Sequence, residues 1–192
     1  MLIGIDEAGM GTLAGPMVAA IVVLPDNAVL KGVKDSKKMT SEQREEAAAR
    51  IMEASLEYIV TAFDAAEVDR IGISACWYQA VRSIAMAVHG KFPGEIVLDG
   101  NRLIGLPYVK PVVKADATHL AVSAASVLAK YTQVCAMLDL HQKYPRYGFN
   151  VHHGYGTAEH KKKLKELGPC PEHRKSFRPV RNLTRRSGSA PG

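Results

Sequence analysis

The sequence predicts an α/β domain: a mixed central sheet flanked by helices, closed by a basic helical segment near the C-terminal end. Three observations predict it. Apolar runs of strand length occur early (Met17–Leu24) and again between helical stretches (Glu95–Leu98, Tyr108–Val113). Stretches with a 3.6-residue apolar period lie between and after them. The length of 192 residues, with 47% hydrophobic and 23% charged residues, suits one globular domain and leaves little room for two.

Taken in order, Met1–Asp6 reads as a short strand ending in carboxylates, followed by a bend rich in Gly9, Gly11, Gly15 and Pro16. Met17–Leu24 is continuous and β-branched, as a buried central strand requires. A loop over Pro25–Lys38 ends in Asp35-Ser36-Lys37-Lys38. Thr40 and Gln43 then fit a capping box. The helix they open carries Ala47, Ala48, Ile51, Met52 and Ser55 on one face and Glu45, Glu46, Arg50 and Glu53 on the other.

Tyr58–Phe63 reads as a strand, Ala65–Arg70 as a short helix stopped by Gly72, and Ser74–His89 as a longer helix stopped by Gly90 and Pro93. After the strands Glu95–Leu98 and Tyr108–Val113 comes the longest helix, His119–Gln142, whose small residues allow close packing on a sheet. Thr157–Leu167 is a basic helix ended by Gly168-Pro169. The domain is expected over residues 1–181, with 182–192 a disordered tail.

The formal net charge of +6 is unevenly placed. Residues 1–160 hold 15 Lys+Arg and 17 Asp+Glu, whereas residues 161–192 hold 10 and 2. A basic end of this kind suits a polyanionic partner. No uninterrupted apolar run approaches the roughly 18–20 residues of a membrane span, and Asp6 and Glu7 fall where a secretory apolar region would be. Cys76, Cys135 and Cys170 lie too far apart for a Cys-x-x-Cys zinc site, and a disulfide framework is not expected. The default compartment is a reducing cytoplasm.

The chemistry lies in the carboxylates. Acidic residues follow strand-like runs three times: Asp6-Glu7 directly after Ile3-Gly4-Ile5, Asp99 directly after Ile96-Val97-Leu98, and Asp116 within three residues of Val112-Val113-Lys114. Neighbouring strand ends can bring such groups together. Clustered carboxylates repel unless a cation sits among them, and oxygen-only ligands select Mg²⁺ or Mn²⁺. Two such ions about 4 Å apart activate a water and stabilise the leaving oxygen of a phosphodiester. An Asp after a strand is also a common turn former or helix cap, so the spacing alone leaves both readings open.

Several other residues have plainer readings. Gly9-Met10-Gly11 lacks the third glycine and the helix of a dinucleotide loop. His152, His153 and His160 are read as surface or phosphate-facing rather than as a transition-metal site. Cys76, Cys135 and Trp77 are read as core, and Cys170 as exposed.

The motifs Gly4-Ile5-Asp6-Glu7-Ala8-Gly9, Gly11, Leu13-Ala14-Gly15-Pro16, Asp35-Ser36-Lys37-Lys38 and Leu98-Asp99-Gly100-Asn101 resemble those of the ribonuclease HII family. So do Val113-Lys114-Ala115-Asp116, Ser123-Ala124-Ala125-Ser126 with Ala129-Lys130, Tyr147-Gly148-Phe149, Gly154-Tyr155-Gly156-Thr157, and His173-Arg174 with Ser176-Phe177. They keep the family's order from about residue 4 to 180.

The resemblance implies a ribonuclease H-like fold and a two-metal endonuclease. It would cut the RNA of RNA–DNA hybrids and cut 5′ of a ribonucleotide embedded in duplex DNA, leaving a 3′-hydroxyl and a 5′-phosphate. It maps the family's catalytic, metal-holding acids onto Asp6, Glu7, Asp99 and Asp116, with Asp6 the candidate shared ligand. Substrate contacts map onto Gly9, Met10, Gly11, Ser36, Lys37, Lys38, Ser126 and Tyr155, with Tyr155 packed on the sugar next to the ribonucleotide. The cofactor implied is Mn²⁺ or Mg²⁺, and a monomer without membrane attachment is expected.

Two positions depart from the family pattern. Met10 stands where the family has Arg or Lys, and Thr12 where proline is common. Cleavage is expected to survive, with weaker affinity or weaker preference for a lone ribonucleotide. The basic run of Lys161, Lys162, Lys163, Lys165, Arg174, Lys175, Arg178 and Arg181 is read as a phosphate-backbone grip, so truncation after about Pro179 is expected to weaken binding. Another ribonuclease H-fold nuclease, such as a junction resolvase, or an inactive nucleic-acid-binding module are the alternatives.

Overall fold

The computed structural model describes residues 1–33 and 39–187. They form two compact units, neither continuous in sequence: residues 1–8, 18–62 and 77–132 in the first, and 9–17, 63–76 and 133 onward in the second.

The first unit is built on the mixed sheet that the apolar runs predict. Its strands are β1 (Leu2–Ala8), β2 (Met17–Leu24), β3 (Glu57–Phe63), β4 (Ile96–Asp99) and β5 (Val109–Val112), in the order β3-β2-β1-β4-β5. β1 runs antiparallel to β2, with Ile5 opposite Ile21, and parallel to β4, with Ile5 beside Leu98. β4 and β5 are parallel, Asp99 lying beside Val112. All eight residues of β2 are buried, which accounts for its unbroken apolar character. β1 does not end at its carboxylates. Its ladder with β2 continues to the pair Ala8 and Val18, so Asp6 and Glu7 are strand residues.

Helix α1 (Ser41–Ala54) starts with the expected capping box: Gln43 N donates to Thr40 Oγ1 at 3.2 Å and Thr40 N to Gln43 Oε1 at 3.0 Å. Its buried face is Arg44, Ala47, Ala48 and Ile51; Arg44, absent from the predicted stripe, donates to the Met39 carbonyl. The helices α2 (Ala65–Ile71) and α3 (Ile73–His89) follow, with Gly72 between them. After β5 come α4 (Ala115–Thr118) and α5 (Leu120–Lys143).

By length and composition α5 is apolar enough to cross a membrane, but most of its apolar window is buried within the protein. Ala121, Ala124, Ala125 and Ala129 share the first unit's core with Val18, Ala20 and Val22 of β2 and with Ala47, Ala48 and Ile51 of α1. A Cβ on Gly4 would lie 2.3 Å from Val122 N, so only glycine lets α5 rest on the backbone of β1.

The second unit contains a 3-10 turn (Pro145–Tyr147), α6 (Phe149–His152), α7 (Ala158–Leu167) and α8 (Arg178–Ser187). Thr157 caps α7 by accepting from His160 N. One apolar cluster joins Ala14, Met137, Leu140, Tyr147, Phe149 and Cys170; another joins Leu13, Leu164 and Val180, with Phe177 and Leu183 against it. Helix α8 runs on to Ser187, into the segment expected as a tail, with Val180 and Leu183 packed in the second cluster; of that segment, residues 188–192 lie outside the described residues.

Candidate active site

Side chains alternate across a strand, so Gly4 and Asp6 share the face of β1 on which α5 lies, and Glu7 takes the other. Asp99 ends β4, next to β1 in the sheet. Asp116 is brought back by a turn through Lys114, which adopts the left-handed conformation at φ 58°. The turn is tied down where Ala115 N donates to Asp99 Oδ1 at 2.7 Å. Carboxylate oxygens of Asp6, Asp99 and Asp116 thus lie within 4.8 Å of one another.

Asp6 is 6% exposed, and its surroundings act on its charge. Burial pushes its carboxyl up to about 7, the Ser126 hydroxyl opposes the shift by hydrogen bonding, and Glu7 and Asp99 add repulsion. A buried carboxylate among like charges, with an oxygen-only donor set, is the environment a hard divalent cation stabilises.

Glu7 stands outside that triad. Its Oε2 accepts from Trp77 Nε1 at 3.0 Å, and the Arg102 guanidinium lies 4.9 Å from the Trp77 ring centre. Burial raises the Glu7 carboxyl; Trp77 opposes this, Asp99 adds to it and Arg102 opposes it. Trp77 is core, as expected, and also a donor to an acid. Hydrophobicity alone shows the first role and not the second.

Within the second unit the Gly9-Met10-Gly11 loop is held by backbone bonds. Gly9 has φ 79°, and a Cβ there would meet the Pro16 carbonyl oxygen at 2.4 Å. The buried Thr12 hydroxyl donates to the Gly9 carbonyl, so the threonine in place of proline closes the turn by another route. Leu13 N donates to Gly154 O at 2.8 Å, next to Tyr155, which is 41% exposed. The loop and Tyr155 therefore belong to one braced assembly. Ser126 joins Asp6 instead, and Ser36, Lys37 and Lys38 lie outside the described residues.

Four expectations are corrected. Arg174, placed in the phosphate-facing run, is 0% exposed: its guanidinium donates to the Gly15 and Met10 carbonyls. His152 and His160 are buried beneath the Tyr155 turn rather than at the surface, because their ring nitrogens bond to backbone groups there. Cys170 is buried beside His173, and Cys135 is only half-buried. Truncation after Pro179 would remove the fully buried Val180, so it would damage packing as well as charge. Lys161, Lys162, Lys165, Lys175, Arg178 and Arg181 are exposed, and Lys163 is half-buried.

A carboxylate triad with two members on the inner strands of a five-stranded mixed sheet and the third on the short helix after its edge strand defines a metal-dependent nuclease of the ribonuclease H fold. The family model "Ribonuclease HII" matches residues 3–180. Ribonuclease HII of Halorhodospira halophila is 44% identical over 185 residues, spanning 95% of this chain and 94% of that protein.

Two solved structures agree. Ribonuclease H2 from Pyrococcus horikoshii OT3 has a TM-score of 0.81 at 27% identity, covering 98% of this chain and 99% of that one. Ribonuclease HII from Archaeoglobus fulgidus, solved in a complex with PCNA, has a TM-score of 0.81 at 28% identity, covering 95% and 96%. The chain belongs to the ribonuclease HII family. It is a ribonuclease H, a metal-dependent endonuclease of a family that acts on RNA–DNA hybrids.

Proposed function

We propose that this enzyme cleaves 5′ of single ribonucleotides embedded in duplex DNA as well as within hybrids, using Mg²⁺ or Mn²⁺ held by Asp6, Asp99 and Asp116. The observation that carries the reading is the convergence of those three carboxylates within 4.8 Å around a buried Asp6. Bound there, such ions supply a water nucleophile at neutral pH and neutralise charge developing on the phosphate.

The chain's own residues do the rest. The Ser126 hydroxyl orients the Asp6 carboxylate. Ala115 N fixes Asp99 through Oδ1, and Trp77 Nε1 aims the Glu7 carboxylate, which acts beside the metal-holding triad. Gly9-Met10-Gly11 offers its backbone to the ribonucleotide, an approach that small residues allow; Gly11 has open space around it. Tyr155 packs on the adjacent sugar, where a 2′-hydroxyl would crowd the ring. Ser36, Lys37 and Lys38 are assigned to phosphate contact by their motif alone, and the exposed lysines and arginines after residue 160 to the duplex backbone. Three free thiols suit a reducing cytoplasm, and the enzyme is read as a monomer.

A panel of three duplexes tests this reading: an RNA–DNA hybrid, DNA with one ribonucleotide, and all-DNA of the same sequence, each with Mg²⁺ or Mn²⁺. The first two are expected to be cut with 3′-hydroxyl and 5′-phosphate ends, and the third left intact. Equal cutting of all-DNA would favour a resolvase-like nuclease and overturn the proposal.

A further inference from the structure

Beneath the exposed Tyr155 lies a buried stack of imidazoles that the nuclease chemistry does not use. His160 and His173 are 0% exposed and His152 is 6% exposed, and the rings of His152 and His160 stack 4.1 Å apart. Their tautomers follow from their partners. A carbonyl only accepts, so His160 Nδ1, 2.9 Å from the Tyr155 oxygen, carries a proton. His160 Nε2 is therefore bare and accepts from His173 Nε2–H at 3.1 Å. His173 Nδ1 is then bare in turn, and accepts from Cys170 N at 3.1 Å.

His152 follows the same logic. Its Nε2–H donates to the Tyr147 carbonyl at 2.8 Å, and its bare Nδ1 accepts from Gly154 N at 3.2 Å. Two successive residues of the turn, Gly154 by its N–H and Tyr155 by its C=O, are thus gripped by stacked rings.

We propose that His152, His160 and His173 are positioning residues that set the placement of Tyr155, His173 and His160 through the one-directional chain that ends on its carbonyl and His152 through the neighbouring Gly154 N–H. The assignment rests on the reading of Tyr155 as the residue packed on the sugar beside the ribonucleotide. The chain tolerates only neutral rings. A second proton on His160 would face His173 Nε2–H, one on His173 would face Cys170 N–H, and one on His152 would face Gly154 N–H.

The groups around it are Glu159 near His152, Glu172 near Cys170, and the Cys170 thiol and Tyr147 phenol, themselves pushed up by burial. Burial keeps His160 and His173 near 4, so the chain stays intact at neutral pH. A metal does not explain the cluster. Cys170 Sγ lies on the Nδ1 side of His173 and His160 on its Nε2 side, so the three donors do not converge.

The test is a double-mutant cycle on Tyr155→Ala and His160→Ala, read as the ratio of single-ribonucleotide to hybrid cleavage. Each single variant is expected to lower that ratio by a similar factor, about three- to tenfold, and the double variant to lower it no further. His160→Asn, which keeps a donor for the Tyr155 carbonyl, is expected to recover part of the loss. Multiplicative losses in the double variant, or a His160→Ala loss equal on both substrates, overturn the proposal alone. If Tyr155→Ala is itself unselective, the reading of Tyr155 falls, and the proposal with it.

Should His160→Ala fail to fold, imidazole ¹⁵N shifts of the unaltered protein decide. At about pH 6, where an ordinary imidazole is mostly protonated, all three rings are expected neutral, with Nδ1–H on His160 and Nε2–H on His152 and His173. A protonated ring or any other tautomer set would contradict the chain.

Discussion

The Arg174 guanidinium donates twice to the Gly15 carbonyl, through Nε at 3.1 Å and Nη2 at 3.0 Å, and once to the Met10 carbonyl through Nη1 at 3.3 Å. Its own backbone N–H donates to Leu13 O, and Gly15 N donates to Glu172 O. A residue near the C-terminal end therefore shapes the loop near the N-terminal end that is proposed to offer its backbone to substrate. Burial lowers the Arg174 guanidinium to about 10, which still leaves it charged at neutral pH.

Arg174→Met is expected to lower stability by about 2–4 kcal/mol, since it leaves the buried Gly15 carbonyl and the part-buried Met10 carbonyl without these donors. Urea unfolding measures it. Arg174→Lys keeps the charge but not the fork, and is expected to fall between the two. A loss under ~0.5 kcal/mol for Arg174→Met would show that the clamp adds nothing.

Asp6 sets a pH dependence whose sign is fixed by its shift from 3.8 to about 7. Between these values the folded state keeps a proton that the unfolded chain has released, so the metal-free protein loses stability as pH rises from about 4 to about 7. The effect is on the order of 4 kcal/mol at most. His160 and His173 oppose it: the unfolded chain takes up protons that the buried rings refuse, so their contribution is lost as pH falls from 6.5 to about 4. Subtracting the Asp6→Asn stability profile from the unaltered one isolates the carboxyl. A difference that does not vary across this window would contradict the burial account.

Trp77→Phe removes the Nε1–H that Glu7 accepts while keeping most of the bulk. The Glu7 carboxyl is expected to rise further, carrying the acid limb of the pH–rate profile upward, with kcat down about tenfold and stability changed by less than ~1.5 kcal/mol. An unshifted acid limb would separate Glu7 from catalysis.

Met10→Arg restores the cation common in the family at a position where the side chain is half-buried and its carbonyl is held by Arg174. The substitution is expected to lower KM for single-ribonucleotide DNA about three- to tenfold, more than for hybrid, and to steepen the salt dependence. No change on either substrate would show that the methionine costs nothing.

Most of the fold was legible because local chemistry and tertiary packing agree. The Thr40 capping box, the apolar β2 and the glycine after α2 each sit where their residue types demand. The triad was legible too, since each acid follows an apolar run. The separation of Glu7 from it was less so, although strand alternation carries that signal for two successive residues. Burial of charge was not legible. Arg174 looks like its basic neighbours in composition, and only the two carbonyls around which it folds distinguish it. The same holds for His160, whose partners are backbone atoms and a histidine thirteen residues on. Helix α4 was missed because it depends on the left-handed turn at Lys114, which no residue type announces.

The central claim is that the Asp6, Asp99 and Asp116 triad holds the metal that cleaves RNA within a duplex. Single-turnover cleavage of DNA carrying one ribonucleotide, by the unaltered enzyme and by Asp6→Asn with substrate affinity measured in parallel, tests it most directly. Asp6→Asn is expected to cut about a thousandfold more slowly or worse, with Kd for the duplex changed no more than a few-fold. Cleavage within about tenfold of the unaltered rate would contradict it.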